Sequence, residues 1–149
     1  MTSRELIGRP MEILLIEDNF TDAALTIRAL ERGNVRHRLT LVRDGAEALE
    51  FLLRQNRFAR APRPDLILLD LNLPKVDGRE LLFAVKADHE LSTIPVVIMT
   101  GSEDYEDELR SQHLNVEGYV TKPVDMPKFL GLVKSLKDYW MSDVILPQV

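Results

Sequence analysis

Five short apolar runs recur along the chain, and between them lie stretches whose apolar residues repeat at helical spacing. The runs are Met11 to Ile16, Leu39 to Val42, Leu66 to Asp70, Pro95 to Thr100 and Gly118 to Thr121. A run of four to six apolar residues suits a strand buried on both faces, as strands of a parallel sheet are. The clearest is Leu66-Ile67-Leu68-Leu69, four aliphatic residues in a row, closed by Asp70 and broken at Pro74. Strands that alternate with helices through short connections form a parallel sheet with helices on both faces.

The intervening stretches carry helix signals. Asn19 or Thr21 can cap a helix that runs to about Arg32, with Gly33 as its stop. Asp44-Gly45 precedes a second helix, Ala46 to Leu53, whose apolar residues are Ala48, Leu49, Leu52 and Leu53. Gly78 to Ala87 is a third, with Leu81, Leu82 and Val85 on one face. Glu103 to His113 is a fourth, acidic in its first turns, where the helix dipole favours acids. Asp125 caps a last helix carrying Phe129, Leu130, Val133, Leu136 and Trp140. Gln55 to Arg63 reads as a basic, solvated loop. His37, His89 and His113 fall at loop-like surface positions. Five such units make a flavodoxin-like (βα)5 α/β fold with strand order 2-1-3-4-5, whose switch point lies between the first and third strands. Residues 1–10 read as an N-terminal arm, 11–140 as the domain and 141–149 as a C-terminal tail.

Composition excludes several function classes. The net charge of −5 argues against nucleic acid or anionic membrane as partner, since both need a basic footprint. The absence of cysteine removes disulfide, thiolate and cysteine-metal chemistry. The start of the chain has no apolar core like that of a signal peptide, and no run approaches membrane-spanning length, so a cytoplasmic protein is expected.

The polar residues that end the strands carry the functional reading. Glu17 and Asp18 follow the first strand, Asp70 ends the third, Thr100 the fourth, and Lys122 follows the fifth. In a parallel sheet these ends share one edge, beside the switch point. Each alone has an ordinary explanation as a cap or a solvated strand end; five together do not. Two carboxylates about 4 Å apart repel by roughly 4 kcal/mol at an effective dielectric near 20. Magnesium relieves this, since it takes oxygen ligands and keeps several waters. Asp18 and Asp70 are the expected direct ligands, with the Asn72 carbonyl as a third and Glu17 acting through a water. A metal, a fixed ammonium and a central carboxylate gather phosphoryl oxygens, so Asp70 can attack phosphorus. Thr100 could donate its hydroxyl to the new group, and Gly101 leaves space for its entry.

These residues resemble the receiver domain of two-component response regulators over about residues 11 to 140. The matching motifs are Glu17-Asp18 after an apolar strand, Asp70 after a second, Pro74-x-x-Asp77-Gly78, Thr100 before a small residue, and Tyr119-x-x-Lys122-Pro123. The resemblance implies that Asp70 accepts phosphate from a phosphohistidine on a sensor histidine kinase. It implies that Glu17, Asp18 and the Asn72 carbonyl hold Mg2+, that Lys122 contacts the phosphoryl group, that Thr100 and Tyr119 are switch residues, and that the bond before Pro123 is cis. The stretches 71–80 and 121–125 look closest to stand-alone regulators that partner cyanobacterial and bacterial phytochromes. On this reading the chain is a phosphoacceptor signalling protein, catalysing only its own phosphorylation and dephosphorylation. Its signal leaves through a protein-interaction surface or by phosphotransfer to a downstream partner or effector. The apolar tail Val144-Ile145-Leu146 is expected to pack on the domain or across a homodimer.

Three other functions compete. An aspartate-nucleophile phosphatase needs a second acid near the nucleophile, where Asn72 stands two residues after Asp70. A binding module with the fold alone leaves the acidic cluster unexplained. A flavin site needs a phosphate loop after the first strand, where Glu17-Asp18 would repel phosphate.

Overall fold

The parallel sheet has the strand order β2-β1-β3-β4-β5, as the alternation requires. A computed structural model describes residues 10–33, 36–70, 78–100, 116–121 and 126–135. Its strands are β1 (Met11–Ile16), β2 (His37–Val42), β3 (Leu66–Asp70), β4 (Val96–Thr100) and β5 (Gly118–Thr121). Its helices are α1 (Phe20–Arg32), α2 (Gly45–Leu52), α3 (Gly78–Ala87) and α4 (Met126–Ser135). The acidic helix expected over 103–113, and the continuation of the last helix through Leu136 and Trp140, fall outside the described residues. Among those residues, no helix is long and apolar enough to cross a membrane.

Residue alternation along the strands sorts the core into two layers. Leu14 and Ile16 of β1, Ile67 and Leu69 of β3, and Val96 and Ile98 of β4 face α2 and α3. Met11, Ile13 and Leu15, Leu66 and Leu68, and Val97 and Met99 face α1 and α4. Every residue of β3 is buried, because the central strand is covered from both sides. β1 sits between β2 and β3, with Ile16 opposite both Val42 and Leu69. That pairing brings the carboxyl ends of β1 and β3 side by side.

The helix ends follow their caps. Asn19, not Thr21, caps α1: its side chain accepts the Asp22 N–H at 2.9 Å. Asp44 caps α2 by accepting the Glu47 N–H at 2.8 Å, so that helix starts and ends one residue earlier than the apolar pattern predicts. Leu53 is consequently exposed, while Phe51 enters the core.

Three expectations are corrected. β2 begins at His37 rather than Leu39, because the ladder with β1 continues to Met11 opposite His37. His37 is therefore a half-buried strand residue, not a loop residue. The basic loop is partly ordered by a 3-10 turn, Asn56–Phe58, that lays Phe58 against the core and against Phe51 edge-on, ring centroids 5.3 Å apart. Its charges are also partly engaged. Arg57 pairs with Glu47 at 3.1 Å, and Arg63 donates to the Glu90 carbonyl and to Thr93 Oγ1.

Candidate phosphoacceptor and metal centre

The carboxyl edge of the sheet carries the acids. β1 ends at Ile16, and Glu17 continues the chain in the plane of the sheet, its N–H donating to the Val42 carbonyl of β2 at 3.0 Å. This bond holds the β1–α1 connection against β2 and sets the direction of the next residues. Glu17 is buried, and its Oε2 accepts the Asn19 N–H at 3.3 Å. Asn19 thus binds Glu17 through its backbone while its side chain caps α1. Asp18, between them, is exposed. Asp70 ends β3 only 4% exposed.

Glu17, Asp18 and Asp70 converge: one carboxylate oxygen from each lies within 4.8 Å of the other two. Three carboxylates this close, two of them buried, offer an oxygen-only donor set. Hard divalent cations such as Mg2+ take such sets, whereas softer metals prefer nitrogen or sulfur. The residues present therefore fit a magnesium-type ion.

The remaining expected site residues divide by position. Thr100 ends β4, its backbone opposite Thr121, at the same edge as Asp70. Tyr119 lies in β5 opposite Ile98, half-buried against the core layer of α2 and α3. Asn72, Gly101, Lys122 and Pro123 lie outside the described residues. A cavity of about 250 Å3, lined by Leu52, Arg54, Arg63, Pro64, Leu91 and Ile94 among others, opens at the opposite edge, near the start of β3, and takes no part in the acidic centre. One feature at the rim is invisible to motif spacing: Arg43, just after β2, rests over the ring of Phe20, the first residue of α1. The two are far apart in sequence, and only the strand pairing brings them together.

Comparison with known proteins agrees with this arrangement. The response regulator receiver domain family matches residues 13–134. Response regulator Rcp1 of Synechocystis is 41% identical over 138 residues, 93% of this chain and 94% of that protein. The structure of its Mn2+-bound form superposes with a TM-score of 0.70, covering 93% of this chain and 100% of that one at 40% identity. The bacteriophytochrome response regulator RtBRR superposes with a TM-score of 0.81 at 41% identity, covering 89% of this chain and 81% of that one. The phosphorylated cyanobacterial phytochrome response regulator RcpA gives a TM-score of 0.71 at 42% identity, over 93% and 99% of the two chains. With its sheet order, its acidic edge and a family match spanning most of its length, the chain belongs to the response regulator receiver domain family.

Proposed function

We propose that this protein accepts a phosphoryl group on Asp70 from a phosphohistidine of a sensor histidine kinase, in a magnesium-dependent reaction that switches a protein-interaction surface. The observation that carries this reading is the meeting of Glu17, Asp18 and Asp70 within 4.8 Å at the carboxyl edge of a parallel sheet. Asp18, Asp70 and the Asn72 carbonyl would hold Mg2+ directly, and Glu17 would hold it through a water. Bound there, the ion would offset the carboxylate charge and draw in phosphoryl oxygens.

The chain's own groups do the rest. A carboxylate oxygen of Asp70 forms the new bond to phosphorus. The phosphorus–nitrogen bond of the donor breaks, and its electron pair leaves with the imidazole, which takes up a proton. Lys122 balances charge on the transferred group, Thr100 donates its hydroxyl to it, and Gly101 leaves room for it. The phosphoryl group adds charge and acceptor oxygens, which draw Thr100 inward and let Tyr119 turn toward the core. A cis bond at Lys122-Pro123 would aim the ammonium. The face beside β5 and the acidic segment 103–108 would then change shape for a downstream partner.

The similar proteins support the finer points. One is described as phosphorylated, one as Mn2+-bound, and two as phytochrome or bacteriophytochrome regulators. A phytochrome-class kinase is accordingly the donor we propose, with the protein acting in the cytoplasm as a homodimer. The test is intact-protein mass spectrometry after incubation with acetyl phosphate and Mg2+. One phosphoryl group should be gained, and it should be lost with Asp70→Asn or with chelator. No gain by the folded wild type would refute the reading.

A further inference from the structure

Arg43 and Phe20 stand at the same sheet edge as the three acids. Arg43 directly follows Val42, whose carbonyl receives the Glu17 N–H at 3.0 Å. Phe20 opens α1 two residues after Asp18. The Arg43 guanidinium carbon lies 4.4 Å from the centroid of the Phe20 ring. That ring is 65% exposed, the most open of the large apolar side chains described. A phenylalanine this exposed contributes little to the core, and the arginine covers part of its face.

The chemistry of that contact is specific. A guanidinium placed over a ring uses its face for the cation–π interaction and keeps its N–H groups at the edge for an oxyanion. Among the described residues Arg43 has no carboxylate partner, although Glu17 and Asp18 lie three and two residues before Phe20 in the chain. The ring therefore weakly biases the exposed arginine toward one position, and no carboxylate among the described residues takes up its charge. A phosphodonor is an anion that must approach a cluster of negative charge, and a cation held near the rim lowers the barrier to its approach.

We propose that Arg43, held near Phe20, is an anion-binding residue that engages the phosphoryl group of the donor before it reaches Asp70. This rests on the phosphoacceptor reading above. Arg43 acts on capture of the donor and not on bond making, so it should change half-saturation and leave the maximal rate alone.

The experiment measures the rate of Asp70 phosphorylation against acetyl phosphate concentration, at fixed Mg2+ and at two ionic strengths. For a single charge acting on a screened dianion, Arg43→Ala should raise the half-saturating concentration about two- to threefold near 0.15 M salt and more at low salt. Arg43→Lys should recover part of this, and Phe20→Ala should lose part by freeing the arginine. Equal half-saturation in wild type and Arg43→Ala at both salts would overturn the proposal, as would a loss confined to the maximal rate. A folded wild type that takes no phosphoryl group at all would instead overturn the phosphoacceptor reading.

Discussion

Removing the charge of Asp70 should make the metal-free protein more stable while removing its response to magnesium. The carboxylate oxygens of Glu17, Asp18 and Asp70 lie within 4.8 Å of one another. One pair of unit charges at that distance repels by about 3.5 kcal/mol at an effective dielectric near 20, and by about 0.9 kcal/mol at that of water. Asp70 and Glu17 are buried and Asp18 is exposed, so the site lies between these limits. Asp70→Asn keeps the shape and removes one charge from the trio. A net gain of about 1–2 kcal/mol in chelator follows, or roughly 3–8 °C in Tm for a chain of this size. Wild type should recover the difference on adding metal, since a ligand at ten times its Kd stabilises by about 1.4 kcal/mol. The variant should respond far less, having lost a ligand. Thermal unfolding of both proteins in chelator and across a magnesium series measures this directly. A variant less stable than wild type in chelator, with an unchanged magnesium response, would refute the idea that Asp70 belongs to a mutually repelling metal site.

Two further perturbations test the scaffold that holds the site. A methyl group at Gly118 would lie 2.6 Å from Leu132 Cδ2 and 2.7 Å from its Cδ1, so Gly118→Ala should force α4 or the leucine away from β5. The expected cost is about 1–3 kcal/mol by denaturant unfolding. Leu132→Ala in the same chain should absorb part of it, and strictly additive losses would contradict the contact. Asp44→Ala removes the acceptor of the Glu47 N–H and should cost about 1 kcal/mol. Asp44→Ser, which can still cap, should recover most of the loss in the same unfolding assay.

What could be read from the amino-acid pattern follows from where the physics is local. β3 and α3 have the predicted bounds because a short all-aliphatic run closed by Asp70 and Pro74 suits a covered strand better than a helix, and because Gly78 restarts the chain after Pro74. The start of β2 is less sharply marked in the sequence. Among the described residues β2 is an edge strand paired with β1 alone, and its first residues, His37 and Arg38, carry polar side chains that an apolar count passes over. The 3-10 turns Asn56–Phe58 and Leu91–Thr93 are three residues each, too short to show a period. Phe58 reveals its place in the core only through Phe51 of the preceding helix.

The same distinction separates the acids from the rim. Glu17, Asp18 and Asp70 are legible because each lies at the end of a strand or just beyond it, and strand ends in a parallel sheet must share an edge whatever the loops do. Arg43 also follows a strand end, yet its neighbour across the edge depends on the pitch of α1 and on the bond from Glu17 to Val42. Topology therefore determines which groups reach the centre of such a site. The cap at Asn19 and the first turn of α1 determine what stands over its entrance. A receiver chain can keep the first while changing the second, and residues at positions such as 20 and 43 are where two proteins with the same acidic centre can differ in the anion they admit.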